Sequence, residues 1–213
     1  MNQKVIEKIN NGREYRAMQM EASTESTTVE GYATTFNQPY RLYAVDGVDV
    51  YEQVAPTAFE ETDMNDVIMQ YDHAGRVFAR LSNGTLHLTT DEHGLRVSAD
   101  LGGTEIGRQL YEEIKGGYTN KMSFGFTVTD AVVEEFDRGY IRTINRIGKL
   151  YDVSAVSLPA NDYTEISAKR NIDGAINELV TERLQAEKRE DERRKARGEL
   201  AERIRKLRET TNE

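Results

Sequence analysis

Cysteine is absent from the 213 residues, and with it go disulfides, thiol nucleophiles and thiolate metal sites. That fits a reducing compartment. No apolar run approaches the roughly 18 residues that cross a bilayer, and the N-terminus carries no signal-peptide apolar region. The chain is therefore expected to be soluble and intracellular at synthesis, with no membrane partner. Neither GxxxxGK[ST] nor GxGxxG occurs, which leaves phosphate-loop and dinucleotide readings unsupported. HExxH is missing, as is any helically spaced histidine pair, so no metal and no cofactor are expected. Histidine is scarce: His73, His87 and His93 are the whole supply.

Charge is present but unevenly placed. The net charge of −9 argues against a general or specific nucleic-acid binder. Residues 181–213 hold 11 Lys/Arg and 9 Asp/Glu, a net of +2, which leaves −11 on the first 180 residues. An acidic body with a densely charged tail follows.

Residues 1–27 are polar, end in "ASTESTT" and read as a flexible leader. Short β-like segments begin at "VEGYATTFN". The turn residues of "SNG" and "DEHG" bracket "TLHLTT", and "LRVSADL" follows, a strand–turn–strand pattern. In "TEIGRQLYEEIKGGY", Ile106, Leu110, Tyr111 and Ile114 have helical spacing, and Gly116–Gly117 ends the helix. Further strands run to Pro159, which stops the last one. Beyond "PANDYTEISAKR", Ile172, Ile176, Leu179, Val180 and Leu184 form a narrow stripe, with Leu200, Ile204 and Leu207 far downstream. This predicts a long charged helix over about 169–213, with a break at Gly198, too poor in apolar surface to build its own core. It reads either as a solvated helix or as one that packs on a partner.

The candidate chemistry centres on "NKMSFGFTVTD", residues 120–130. On a strand, Met122, Phe124 and Phe126 share one face, while Ser123, Gly125 and Thr127 share the other. Ser123 is either an ordinary outward residue or a hydroxyl kept clear of bulk. A serine nucleophile needs a base, and the base needs an orienting group. His93 sits in an acidic turn and His87 alternates outward with threonines; both read as surface residues. His73 ends the face of Val67, Met69 and Tyr71, where pattern alone favours a satisfied structural histidine over a base. Asp152 shares a face with Leu150, Ser154, Val156 and Leu158; a carboxylate there needs a partner, and a histidine N–H is suitable. Asp72, adjacent to His73, reads as a turn residue.

The order of these segments resembles the HK97-type caudoviral prohead proteases, serine peptidases of phage capsid maturation. "VEGYATTFN", "YEQVAPTAF", "VIMQYDHAGRVFARL", "EEIKGGYTNKMSFGF" and "LYDVSAVSLPAND" are similar to family segments and run in family order over residues 28–168. Thr57 and Ala79 stand where the pattern has glycine. The resemblance implies Ser123 as nucleophile, His73 as general base and Asp152 as third member. It implies a mainly β, α+β fold with a β-barrel-like core related to the herpesvirus assembly proteases. The implied partners are the major capsid protein precursor with its scaffolding segment, and the chain itself through self-association and self-cleavage. The implied place is the assembling procapsid in the host cytoplasm. A non-catalytic scaffolding or capsid-assembly protein, with a β binding domain and a helical tail, is the alternative.

Overall fold

The computed structural model describes residues 5–6, 13–45, 47–137, 139–157 and 161–210. In chain order the strands are β1 (Val5–Ile6), β2 (Glu14–Ala22), β3 (Thr28–Thr35), β4 (Tyr40–Val45), β5 (Val48–Val54), β6 (Ile68–Tyr71), β7 (Ala74–Arg80), β8 (Leu86–Thr90) and β9 (Gly94–Asp100). Helix α1 (Glu105–Lys115) follows, then the long strands β10 (Lys121–Phe136) and β11 (Gly139–Val156), and helix α2 (Asn161–Thr210). The fold is mainly β with two helices.

The β10–β11 pair is the spine. It is antiparallel over almost its whole length, with four register shifts that bend it. β2 lies against the other edge of β10 along Glu14–Gln19, then leaves it to pair with β3 through Met20–Ala22. That switch turns the sheet a corner, on to β9 and β8. On the far side β11 takes two parallel partners, β5 along Tyr140–Ile144 and β6 along Asp152–Ala155. Among the described residues the path begins at β4 and ends at β8, each with a single neighbour, so the sheet is open. The expected barrel-like closure is not formed.

Residues 14–22 also depart from the flexible-leader reading, because they are a strand inside the sheet. "EYRAMQMEA" is rich in polar residues, yet its alternation places Glu14, Arg16 and Met20 in the interior. Of the rest of the leader, residues 1–4 and 7–12 lie outside the described residues.

Local signals elsewhere match local structure. β8 and β9 form the antiparallel hairpin read from "TLHLTT" and "LRVSADL". In α1 the Thr104 hydroxyl accepts the Gly107 N–H at 3.0 Å, an N-cap. Leu110, Tyr111 and Ile114 are buried, and Gly117 takes the positive φ (76°) that follows the helix end. Phe124 and Phe126 stack at 4.5 Å in the core beside Met122, Met69, Leu150 and Val153.

The core face also holds an ionic cluster. Arg16 Nε donates to Glu52 at 2.5 Å, Arg142 Nη1 donates to both Glu14 and Glu52 at 2.7 Å, and Tyr40 donates to Glu52. Strands β2, β4, β5 and β11 are thus tied by groups that are each spoken for. Burial pushes the Glu52 carboxyl up, but the Arg16 and Arg142 guanidinium groups outweigh it and hold it at about 2.

The chain divides into one unit through Ala175 and a second from Ile176. In the second, α2 runs on through Gly198 without the expected break. One glycine costs a helix only about 1 kcal/mol relative to alanine, and strong helix formers flank it. Arg183–Glu187 and Arg194–Asp191 pair along the surface, and Leu200 and Ile204 are exposed. β11 ends at Val156, and Pro159 lies outside the described residues, as do the side chains of Ile172, Ile176 and Leu207.

Candidate active site

Ser123 lies near the start of β10 and pairs with Ser154 of β11; Gly125, two residues on, pairs with Asp152. Paired residues point to the same side of a sheet, about 5 Å apart. Ser123, Gly125, Asp152 and Ser154 therefore share the face opposite the stacked phenylalanines. This small-residue face is not open to water: Ser123 is 0% and Asp152 1% exposed.

Asp152 reaches that face by a bulge. Phe124 pairs with Val153 and Phe126 with Leu150, so one residue of β10 is matched by two of β11, Tyr151 and Asp152. Strict alternation puts Leu150 and Asp152 together. The extra residue instead sends Leu150 to the core and Asp152 to the other side. A carboxylate on an apolar face becomes a carboxylate among serines and a glycine.

His73, unlike Asp152, is not a strand residue. It follows Asp72 in the two-residue turn between β6 and β7, closed by the Tyr71–Ala74 pair. Both turn residues have positive φ, 47° and 56°, the signature of a type I′ hairpin usually filled by Asn or Gly. For residues with a Cβ this costs roughly 1–2 kcal/mol each, so something must hold the turn. The Asp72 N–H donates to Ala155 O at 2.9 Å, and its carboxylate accepts from the Ser157 N–H at 3.0 Å and the Ser157 hydroxyl at 2.9 Å. Asp72 is a turn residue, as read, and it also fastens the turn to the end of β11.

From this turn the imidazole bridges the two strands of the spine. Nδ1 lies 2.5 Å from Asp152 Oδ1, and Nε2 lies 2.8 Å from Ser123 Oγ. With its proton on Nδ1, His73 donates to the carboxylate and keeps Nε2 as acceptor for the Ser123 O–H. The His73 side chain is 18% exposed, the most accessible of the three. Such a line can take a proton from a hydroxyl as it attacks an electrophile, and return it. The other two histidines lie elsewhere: His87 is exposed on β8, and His93 packs edge-on to Tyr32 at 4.6 Å. Among the described residues no cluster of three or more His, Asp or Glu has the makings of a metal site.

Two further residues meet the carboxylate. The Ser154 hydroxyl donates to Asp152 Oδ1 at 2.8 Å. Arg13, stacked over the Tyr151 ring at 3.9 Å, brings Nη1 to 3.9 Å from Asp152 Oδ2. Sequence reasoning named Ser154 only as a neighbour on the Asp152 face and passed over Arg13 as part of the leader. The i, i+2 spacing of Asp152 and Ser154 was the available signal.

A family model described as caudovirus prohead serine protease matches residues 13–176. No curated protein and no solved structure matches the chain. The match begins one residue before β2 and spans β2 to β11, α1 and the start of α2.

Proposed function

The chain belongs to the caudovirus prohead serine protease family, and from that premise we propose that it is an endopeptidase with Ser123 as nucleophile, His73 as general base and Asp152 as the group that orients the imidazole. The observation that carries this reading is the continuous hydrogen-bonded line from Asp152 through His73 to Ser123. His73 Nε2 takes the Ser123 proton as Oγ attacks a peptide carbonyl, forming the tetrahedral intermediate. The imidazolium then gives that proton to the leaving amine, and a water attacks the acyl-enzyme with His73 again as base. Asp152 keeps the Nδ1 proton directed and balances the imidazolium charge. Gly125 leaves the face beside Ser123 free of a side chain. The expected relation to the herpesvirus assembly proteases belongs to the same reading, in an open rather than barrel-like sheet.

The family membership points to a capsid protein as partner. The proposed substrate is the scaffolding segment of the major capsid protein precursor, with the protease itself as a second substrate. The charged helix is proposed to pair with scaffold or precursor inside the assembling procapsid, as the targeting element beyond the protease body.

Co-expression with the capsid precursor of the same phage tests the proposal. Ser123→Ala and His73→Ala should each abolish precursor cleavage, by a loss on the order of 10⁴- to 10⁶-fold. Intact mass spectrometry of the protease in the same samples reads self-cleavage. Precursor processed equally in both variants would sink the assignment and favour the non-catalytic assembly reading.

A further inference from the structure

We infer that Ser154 is a positioning residue whose hydroxyl holds the Asp152 carboxylate on His73 against the competing pull of Arg13; this rests on the serine-peptidase reading above. The two oxygens of Asp152 are treated unequally. Oδ1 receives two donors, the His73 ring nitrogen at 2.5 Å and the Ser154 hydroxyl at 2.8 Å. Oδ2 is buried and, among the described residues, accepts no hydrogen bond. Arg13 Nη1 lies 3.9 Å from it, inside ion-pair range and too far for a hydrogen bond.

A buried carboxylate oxygen without a donor is costly. The direct remedy is rotation of the carboxylate about its terminal torsion, toward the guanidinium. That torsion is soft, because sp³–sp² rotors have broad wells. The rotation would satisfy Oδ2 and carry Oδ1 off the line to His73. Nε2 would then lose its aim at Ser123, through a group that never touches the hydroxyl. Ser154 opposes this. It lies on β11 two residues after Asp152, is 0% exposed, and pairs across the ladder with Ser123 itself. Its backbone is locked on both sides, by β10 through Ser123 and by β6 through Gln70. The hydroxyl therefore offers Oδ1 a fixed, buried donor, while Arg13, just before β2 and with a 42% exposed side chain, offers one that water also solvates.

The arrangement predicts a specific pattern in the rate at which the full-length protein is labelled at Ser123 by a fluorophosphonate probe, resolved into kinact and KI. Ser154→Ala should lower kinact by about 10- to 100-fold, the size of one hydrogen bond to a charged group, with KI unchanged. Adding Arg13→Ala to Ser154→Ala should recover part of the lost kinact, because the rival for the carboxylate is gone. A hydroxyl with a merely structural role would give neither the kinact-only loss nor the recovery. Wild-type kinact in Ser154→Ala overturns the inference, as does a double variant no faster than Ser154→Ala alone. Ser123→Ala separates the two levels: labelling that persists there overturns the site reading, and this inference with it. If Ser123→Ala is silent and Ser154→Ala is fast, only the role of Ser154 falls.

Discussion

Across β2, β10 and β11, the two faces of one sheet both bury polar side chains and treat them differently. On the face of Phe124 and Phe126, two arginines and two glutamates close on one another with Tyr40 at the rim. Every charge there has an opposite charge in hydrogen-bonding contact. On the other face, Asp152, His73, Ser123 and Ser154 form a line with one hydroxyl aimed at a base and one carboxylate oxygen that lacks a donor among the described residues. Among the described residues the first cluster leaves no buried side-chain donor or acceptor unfilled. The second leaves Asp152 Oδ2. The strongly shifted Glu52 and Tyr40 belong to the closed cluster: burial and the Glu52 charge push the Tyr40 hydroxyl well above 10. The strongly perturbed ionisations here belong to structural pairing, and the proposed reactive place is the one whose pairing is incomplete.

Three experiments sharpen or break that division. The largest effect belongs to Arg142→Met, which leaves Glu14 and Glu52 sharing one guanidinium. Breaking a buried pair from one side costs about 3–5 kcal/mol, read as a drop in the urea denaturation free energy. Fluorophosphonate labelling per folded molecule should stay at the wild-type level, and a labelling defect would join the two faces. Acid comes next. Glu52 is held at about 2 against an ordinary 4.5, so its contribution is present above roughly pH 4.5 and disappears as pH falls through 2, on the order of 3 kcal/mol in all. Urea midpoints between pH 5 and pH 2 should fall, and should fall much less in a Glu52→Gln background already weakened at pH 7. The smallest effect is at the turn. Asp72→Ala removes the tie to Ser157 and leaves a methyl in left-handed backbone, whereas Asp72→Gly removes the tie alone. Labelling should fall about fivefold in the alanine variant, the scale of one exposed hydrogen bond, and less in the glycine variant. Equal labelling in all three proteins would detach Asp72 from the placing of His73.

The parts legible in the sequence were those set by local period. Met122, Phe124 and Phe126 announced a core face, "TLHLTT" and "LRVSADL" a hairpin, and "TEIGRQLYEEIKGGY" a helix ended by glycine. The three residues chosen for the site come together in space, but two arrive by local geometry that alternation does not encode. His73 enters from a left-handed turn whose sequence, Asp-His, lacks the usual glycine or asparagine. Asp152 enters through a bulge rather than from an apolar face. The ionic cluster was hidden because Arg142 meets Glu52 and Glu14 across 90 and 128 residues. No window of sequence contains that pairing. β2 was missed for the same reason, since its charges look solvated until their partners are known.

The bulge at Tyr151 bears on how the strand can change over time. Substituting Tyr151 alters one side chain beside Arg13. Deleting it would make Leu150 and Asp152 consecutive and turn the bulge into plain ladder, with Leu150 still on the core side and Asp152 still opposite. The strand can thus shed its extra residue without exchanging its faces, whereas the loss of Val153 would set Asp152 and Ser154 on opposite sides.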